Sequence, residues 1–140
     1  MFPVLSTSVE TAQIERVVRV LQRAKIRHSI NYASVYACRK IAGSDSWSQH
    51  SWGNAVDLFP RGDIDSHDAV RRAIANFVVK NTTQRTTANL GRKLAVSEVI
   101  DHSGRRIWTP ERGWHEYTGT TGDHVHVSGD PLRSGTPPCA

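Results

Sequence analysis

The segment Ser48-Gln49-His50-Ser51-Trp52-Gly53-Asn54-Ala55-Val56-Asp57-Leu58-Phe59-Pro60 limits the fold more than any other stretch of the chain. On a helix, residues seven apart such as His50 and Asp57 share a face but lie about 10 Å apart along the axis. Their side chains could hardly meet at one point. Gly53 and Pro60 also oppose a helix, one by leaving the backbone too free and the other by lacking an amide donor. Asn54 to Phe59 alternates loosely in polarity and stops at Pro60, as a strand end does. The segment therefore reads as a loop carrying His50 that turns at Gly53 into a strand carrying Asp57.

The flanks supply a helix and an extended segment before it and a second helix and further strands after it. Thr7-Ser8-Val9-Glu10 has capping-box spacing and opens a segment in which Ile14, Val17, Val18, Leu21 and Ala24 recur at helical spacing. This predicts a helix from Ser8 to about Ala24. Val35 to Ile41 reads as a short strand or extended segment, followed by the loop Gly43-Ser44-Asp45-Ser46. Ser66 is a suitable N-cap for a second helix with Val70, Ala73, Ile74, Phe77 and Val78 as its buried stripe, ended by polar residues after Asn81. Lys93 to Ile100 and Arg105 to Thr109 flank Asp101-His102-Ser103-Gly104, the composition of a hairpin turn. His124 to Ser128 reads as a last strand, and the tail from Pro131 as loose. Helices combined with antiparallel strands point to an α+β domain over residues 1–130 with a loose tail over 131–140, without internal repeats.

Composition bounds the function classes. A 140-residue chain, 38% apolar and 22% charged, has the size and balance of one domain with a single core. No apolar run approaches the roughly 20 residues of a membrane span, so no membrane insertion is expected. Met1 to Ser8 lacks the basic and apolar regions of a secretory signal. A net charge of +5 and a pI near 9.7 favour a polyanionic partner. The basic residues are scattered, however, and no nucleic-acid-binding motif is present, so nucleic acid is not expected. Cys38 and Cys139 form no CxxC pair. Cys38 reads as a buried small hydrophobe and Cys139 as exposed; whether they pair is left open.

Three histidines sit in suggestive places. His124 and His126, two apart on a strand, face the same side, so one can bind a metal while the other lines the same cavity. His50, Asp57 and His126 would make a three-ligand site with a position free for water, the pattern of a catalytic rather than a structural zinc site. Spacing alone leaves the alternative in which His50 caps a loop, Asp57 ends a strand and His124 and His126 are half-buried.

The letters around these residues narrow the choice. Ser48 to Asp57 resembles the SxHxxGxAxD signature of the zinc D-alanyl-D-alanine carboxypeptidase family, which includes VanX- and VanY-like enzymes and many phage endolysins. That family shares a fold group with lysostaphin-type peptidases and the hedgehog signalling domain. Gly119 to Ser128, containing Asp123-His124-Val125-His126, is similar to its second motif. Cys38-Arg39, Gly43 and Trp47 look like the stretch that precedes the first motif in actinobacterial and actinophage members. The likeness runs from about Tyr36 to Ser128, specific at two motifs and loose between them.

This resemblance implies a small antiparallel sheet flanked by helices, with one Zn2+ in a cleft at the sheet held by His50, Asp57 and His126. It implies Asp123 as the general base that activates the attacking water. The family usually has Glu there, and Asp is one methylene shorter, which keeps His124 as the rival base. Arg39 is either the counterpart of an arginine that stabilises the carbonyl oxygen or holds a substrate carboxylate, or a surface salt-bridging arginine. Ser48 either bonds substrate or caps a turn; Trp114, with Trp52, Trp108 and Tyr117, either lines a groove or packs in the core. Gly53 and Ala55 are expected to be small because backbone passes close to the metal, and His67, His102 and His115 are expected on the surface.

The function implied is hydrolysis of a peptide bond in bacterial peptidoglycan, in a stem peptide or a cross-link, by a monomer attracted to the anionic cell wall. A chain without its own signal would be a phage endolysin held in the host cytoplasm until release, or a virion-associated lysin. The rival expectation is a non-catalytic, zinc-containing wall-binding or signalling module of the same fold.

Overall fold

A computed structural model describes residues 1–62, 67–82, 94–102, 104–120 and 122–140. Among them are strands β1 (Val4–Leu5), β2 (Ile30–Ser34), β3 (Ala55–Pro60), β4 (Val96–Asp101), β5 (Arg106–Thr109), β6 (Gly113–Glu116) and β7 (Val125–Gly129), with helices α1 (Ala12–Arg23) and α2 (His67–Lys80). The seven strands form one sheet in the order β1-β2-β3-β7-β4-β5-β6. β1 runs parallel to β2 and every other pairing is antiparallel, so the sheet is mixed rather than purely antiparallel. The chain is a single α+β domain. No helix among the described residues is long and apolar enough to cross a membrane.

Alternation of side chains along the three central strands divides the sheet into a greasy face and a polar one. Val56 of β3, Val127 of β7 and Val99 of β4 stand in register and are fully buried. They join Ile14, Val17 and Leu21 of α1 and Ile74, Ala75 and Val78 of α2 in one core. One residue along, Asp57, His126 and Ile100 stand in register and so project from the opposite face. A one-residue slip of β7 would exchange its two faces, so the core valines fix where His126 points.

Several boundaries differ from expectation. Helix α1 begins at Ala12, not Ser8. Thr11 is its N-cap and accepts from the Ile14 amide, while its own amide donates to the Gly53 carbonyl. That tie to the loop before β3 overrides the local capping box at Thr7–Glu10, and Ser6 (φ 57°) turns the chain between β1 and the helix. Gly53 has φ 66°, and a Cβ there would lie 2.1 Å from the Val9 carbonyl oxygen, so glycine is required by this approach rather than by a metal.

Of the short strand or extended segment expected over Val35–Ile41, Val35 is buried in the core and Lys40 makes an isolated bridge to Trp47. The regular strand lies earlier, at Ile30–Ser34, where Ile30 and Ala33 also reach the core. The buried face of α2 is Arg71, Ile74, Ala75 and Val78, with Ala73 exposed and Val70 and Phe77 half-buried. The Ser66 cap and the start of the Lys93–Ile100 strand lie outside the described residues. Strand β6, not expected from sequence, extends the β4–β5 hairpin. Asp101 shapes that hairpin by accepting from the Gly104 amide and the Arg106 guanidinium.

The tail is tied down rather than loose. Cys38 and Cys139 form a disulfide with Cα atoms 6.2 Å apart, and Cys38 is exposed instead of buried. Gln49 both donates to the Arg133 carbonyl and accepts from its amide, and Asn54 donates to the Pro131 carbonyl. The last ten residues thereby brace the loop that carries His50.

Candidate metal centre

His50 sits in a single 3-10 turn, Gln49–Trp52, immediately before β3. Ser48 is its N-cap, the hydroxyl accepting from the His50 amide at 3.3 Å, and Gly53 closes it in the left-handed conformation. This turn solves the spacing problem posed by the sequence: His50 is folded back over Asp57, and the pair meet at 3.0 Å between Nε2 and Oδ1. His126 Nδ1 reaches the same oxygen at 3.1 Å from the neighbouring strand. Donor atoms of His50, Asp57 and His126 all lie within 4.8 Å of one another, so the group could hold a metal ion.

The chemistry of the donor set fits a cation. His50 donates from Nδ1 to the Val35 carbonyl, which leaves Nε2 bare in the neutral ring. His126 has its Nε2 at 2.8 Å from Ser128 Oγ and 3.6 Å from Glu98 Oε1, which turns Nδ1 inward. His124 adds a third imidazole, its Nε2 3.4 Å from Asp57 Oδ1. Three imidazole nitrogens thus surround one carboxylate oxygen. Bare nitrogens and a carboxylate repel, so without a metal the cluster is held together by protons. Orienting a ligand histidine through its outer nitrogen is the usual support of metal sites.

The charge states follow. Burial would raise the Asp57 carboxyl, but hydrogen bonds from His126 and His50 outweigh it and hold that group far below the usual carboxylate range. Burial would lower His126, yet Asp57 and Glu98 beside it push the imidazole up to about 9. Glu98 is lowered because His126 and Ser128 outweigh its burial. His102 is pushed down to about 4 by burial and by His124 and His126 nearby. His124 is lowered too, burial outweighing the pull of Asp57.

The triad lies in a cleft of about 310 Å³ whose lining includes Arg39, Ile41, Ser48, Glu98, Tyr117 and His124. Of the residues expected from sequence, Arg39 stands at the rim with Nη2 3.9 Å from Asp57 Oδ2 and its side chain 59% exposed. His124 lies inside, between Phe59 and His102. Asp123 does not line the cleft: its side chain is 75% exposed and, among the described residues, its carboxylate approaches His124 Nδ1, at 3.7 Å. The Asp123 carbonyl accepts from buried Arg71 of α2.

Trp114 also lies apart. It sits on edge strand β6, three strands from β7, which at the spacing of neighbouring strands is about 14 Å. There it packs on the core under the Arg106 guanidinium. Trp108 is buried in the core.

Glu98, Ser128 and His102 are the residues that sequence reasoning missed. Ser128 follows His126 by two on one strand and shares its face, a readable signal. Glu98 needed the β4–β7 register, which no local pattern supplies. His102 was expected on the surface but is 9% exposed, its Nδ1 bonded to the Thr120 carbonyl and its ring 4.4 Å from that of His124. Its place beside a turn concealed it. No protein-family model matches the chain, and neither a curated protein nor a solved structure is significantly similar to it.

Proposed function

We propose that the chain is a zinc metallopeptidase that hydrolyses a peptide bond in bacterial peptidoglycan, as a phage endolysin or virion-associated lysin. The observation that carries this reading is the convergence of His50 Nε2, Asp57 Oδ1 and His126 Nδ1 in an open cleft, each histidine oriented through its other nitrogen. Two imidazoles and one carboxylate match a catalytic zinc site with a position left for water. Zinc bound there would polarise the scissile carbonyl and acidify a water molecule.

The chain's own residues supply the rest. His124, inside the cleft and held neutral by burial, accepts the proton of the attacking water and returns it to the amine as the C–N bond breaks. Asp123, beside His124 Nδ1, orients that ring rather than acting on water itself, which reverses the roles implied by the resemblance. Arg39, exposed at the rim and 3.9 Å from Asp57 Oδ2, presents a planar fork to a substrate carboxylate or carbonyl oxygen. Ser48 serves first as the cap that sets His50.

Two further features agree with work at the cell wall. The Cys38–Cys139 disulfide suits a protein acting outside a reducing compartment. The net charge of +5 favours adsorption to an anionic wall. A second reading, a non-catalytic zinc module for wall binding or signalling, draws on the exposure of Asp123, which leaves the cleft without the acid expected of the family.

Incubation of purified peptidoglycan with the protein, followed by assay of new amino groups and mass spectrometry of the fragments, tests the proposal. New peptide termini that vanish with a chelator are expected. Zinc and wall binding without any new terminus would leave the non-catalytic reading instead.

A further inference from the structure

Resting on the metal reading above, we propose that Glu98 and Ser128 are positioning residues that fix which nitrogen of His126 faces the ligand cluster. Glu98 of β4 and Ser128 of β7 stand opposite each other in the sheet. Ser128 shares a face of β7 with His126, two residues before it. The Ser128 hydroxyl donates to Glu98 Oε1 at 2.8 Å, and His126 Nε2 lies 2.8 Å from the same hydroxyl.

A hydroxyl has one proton. With that proton committed to Glu98, only lone pairs of Ser128 remain for the imidazole, so Nε2 must carry hydrogen and donate. Glu98 Oε1, 3.6 Å from the same nitrogen, reinforces the preference. Neutral His126 is therefore left with a bare Nδ1, the nitrogen 3.1 Å from Asp57 Oδ1.

His50 reaches the same end by another route, a backbone carbonyl fixing its Nδ1 and freeing Nε2. The difference has a consequence. The orientation of His50 is built into the backbone, whereas that of His126 depends on two replaceable side chains. Ser128 is fully buried and the Glu98 side chain is 21% exposed, so water has little chance to substitute for either.

Zinc affinity by competition with a chelating dye, together with nitrogen NMR of His126 in the zinc-loaded protein, tests this. The wild type should show the His126 N–H on Nε2. Glu98→Leu and Ser128→Ala should each bind zinc about 10- to 100-fold more weakly, the usual range for lost support of a ligand, and lose that N–H signal. Glu98→Gln keeps an amide oxygen that accepts from Ser128, and it should restore most of the affinity and the signal.

Wild-type affinity in both Glu98→Leu and Ser128→Ala would overturn the proposal. So would weaker metal-free stability with an unchanged His126 signal, which marks a structural role. Abolished zinc binding in Glu98→Gln would make Glu98 a direct ligand and overturn it too. Zinc bound with this pattern of affinities, but no peptide hydrolysed, would support the positioning role while breaking the functional reading.

Discussion

The two walls of the cleft are built differently. On one wall Asp57 and His126 stand in register on central strands, and His50 is clamped over them by a capped 3-10 turn. Both histidines there have a partner on their far side. On the other wall Arg39 and His124 lie outside regular strands, and Arg39 is largely exposed. Strands hold side chains by backbone pairing and core packing, whereas loops hold them only by the contacts they happen to make. On the proposed reading, the wall of His50, Asp57 and His126 suits fixed geometry and the other wall suits meeting a substrate.

The largest effects should come from breaking the rigid wall. His126→Ala should abolish measurable zinc binding and lower the unfolding temperature of the protein in excess zinc, since metal held by the native state adds to folding. Elemental analysis showing one equivalent of zinc in that variant would remove His126 from the ligand set.

Proton competition sharpens the same point. His126 is raised to about 9 without metal, so zinc must displace a proton at neutral pH, and affinity should rise as pH climbs from 6 toward 9. In the metal-free protein the sign is opposite. A raised histidine stabilises the fold fully below about 6.5, its unfolded value, and that contribution is lost as pH rises through 9. Denaturant unfolding of stripped and loaded protein at several pH values should show the gap between them widening as pH rises; a constant gap would count against the assignment.

The tail that braces His50 comes next. Cys38→Ser with Cys139→Ser releases a closed loop spanning 101 positions, worth about 4–5 kcal/mol in the chain-entropy account. A thermal scan should show a clear drop in the unfolding temperature, matched by a mild reductant acting on the wild type. No drop in either would mean that the disulfide contributes little.

Smaller effects belong to the exposed wall. His124→Gln should retain zinc and fold and lose about 10²-fold in turnover, the scale for removing a general base, with Asp123→Asn losing about tenfold. Turnover on a defined muropeptide decides; the reverse order would return the base to Asp123. Arg39→Lys should cost more than Arg72→Lys or Arg105→Lys, which alter exposed positions. Arg71 is no control, because it is buried and holds the Asp123 carbonyl.

The sequence made the ligand wall legible and left the rest dim. Ser48 to Pro60 carried a turn, a strand and the candidate ligands His50 and Asp57 in one short stretch. HxH on a strand put His124 and His126 on one side by parity, the resemblance alone singling out His126. The core stripe of α1 was equally plain in Ile14, Val17, Val18 and Leu21. Glu98 and His102 were hidden because they reach the site through long-range register and a turn, where no local period points. The motif fixes the distance of Asp123 along the chain from His126 but not the direction of its side chain, which is 75% exposed. The brace from Cys38 to Cys139 was invisible because pairing depends on where two distant loops end.

On the proposed reading, a single zinc at His50, Asp57 and His126 drives hydrolysis of peptidoglycan peptide. Stripped protein titrated with zinc, with bound metal and new peptide termini measured on the same samples, tests it most directly. Hydrolysis should climb linearly and level off at one equivalent of zinc, and none should appear in Asp57→Ala. Full zinc occupancy with no new termini, or hydrolysis indifferent to zinc, would contradict it.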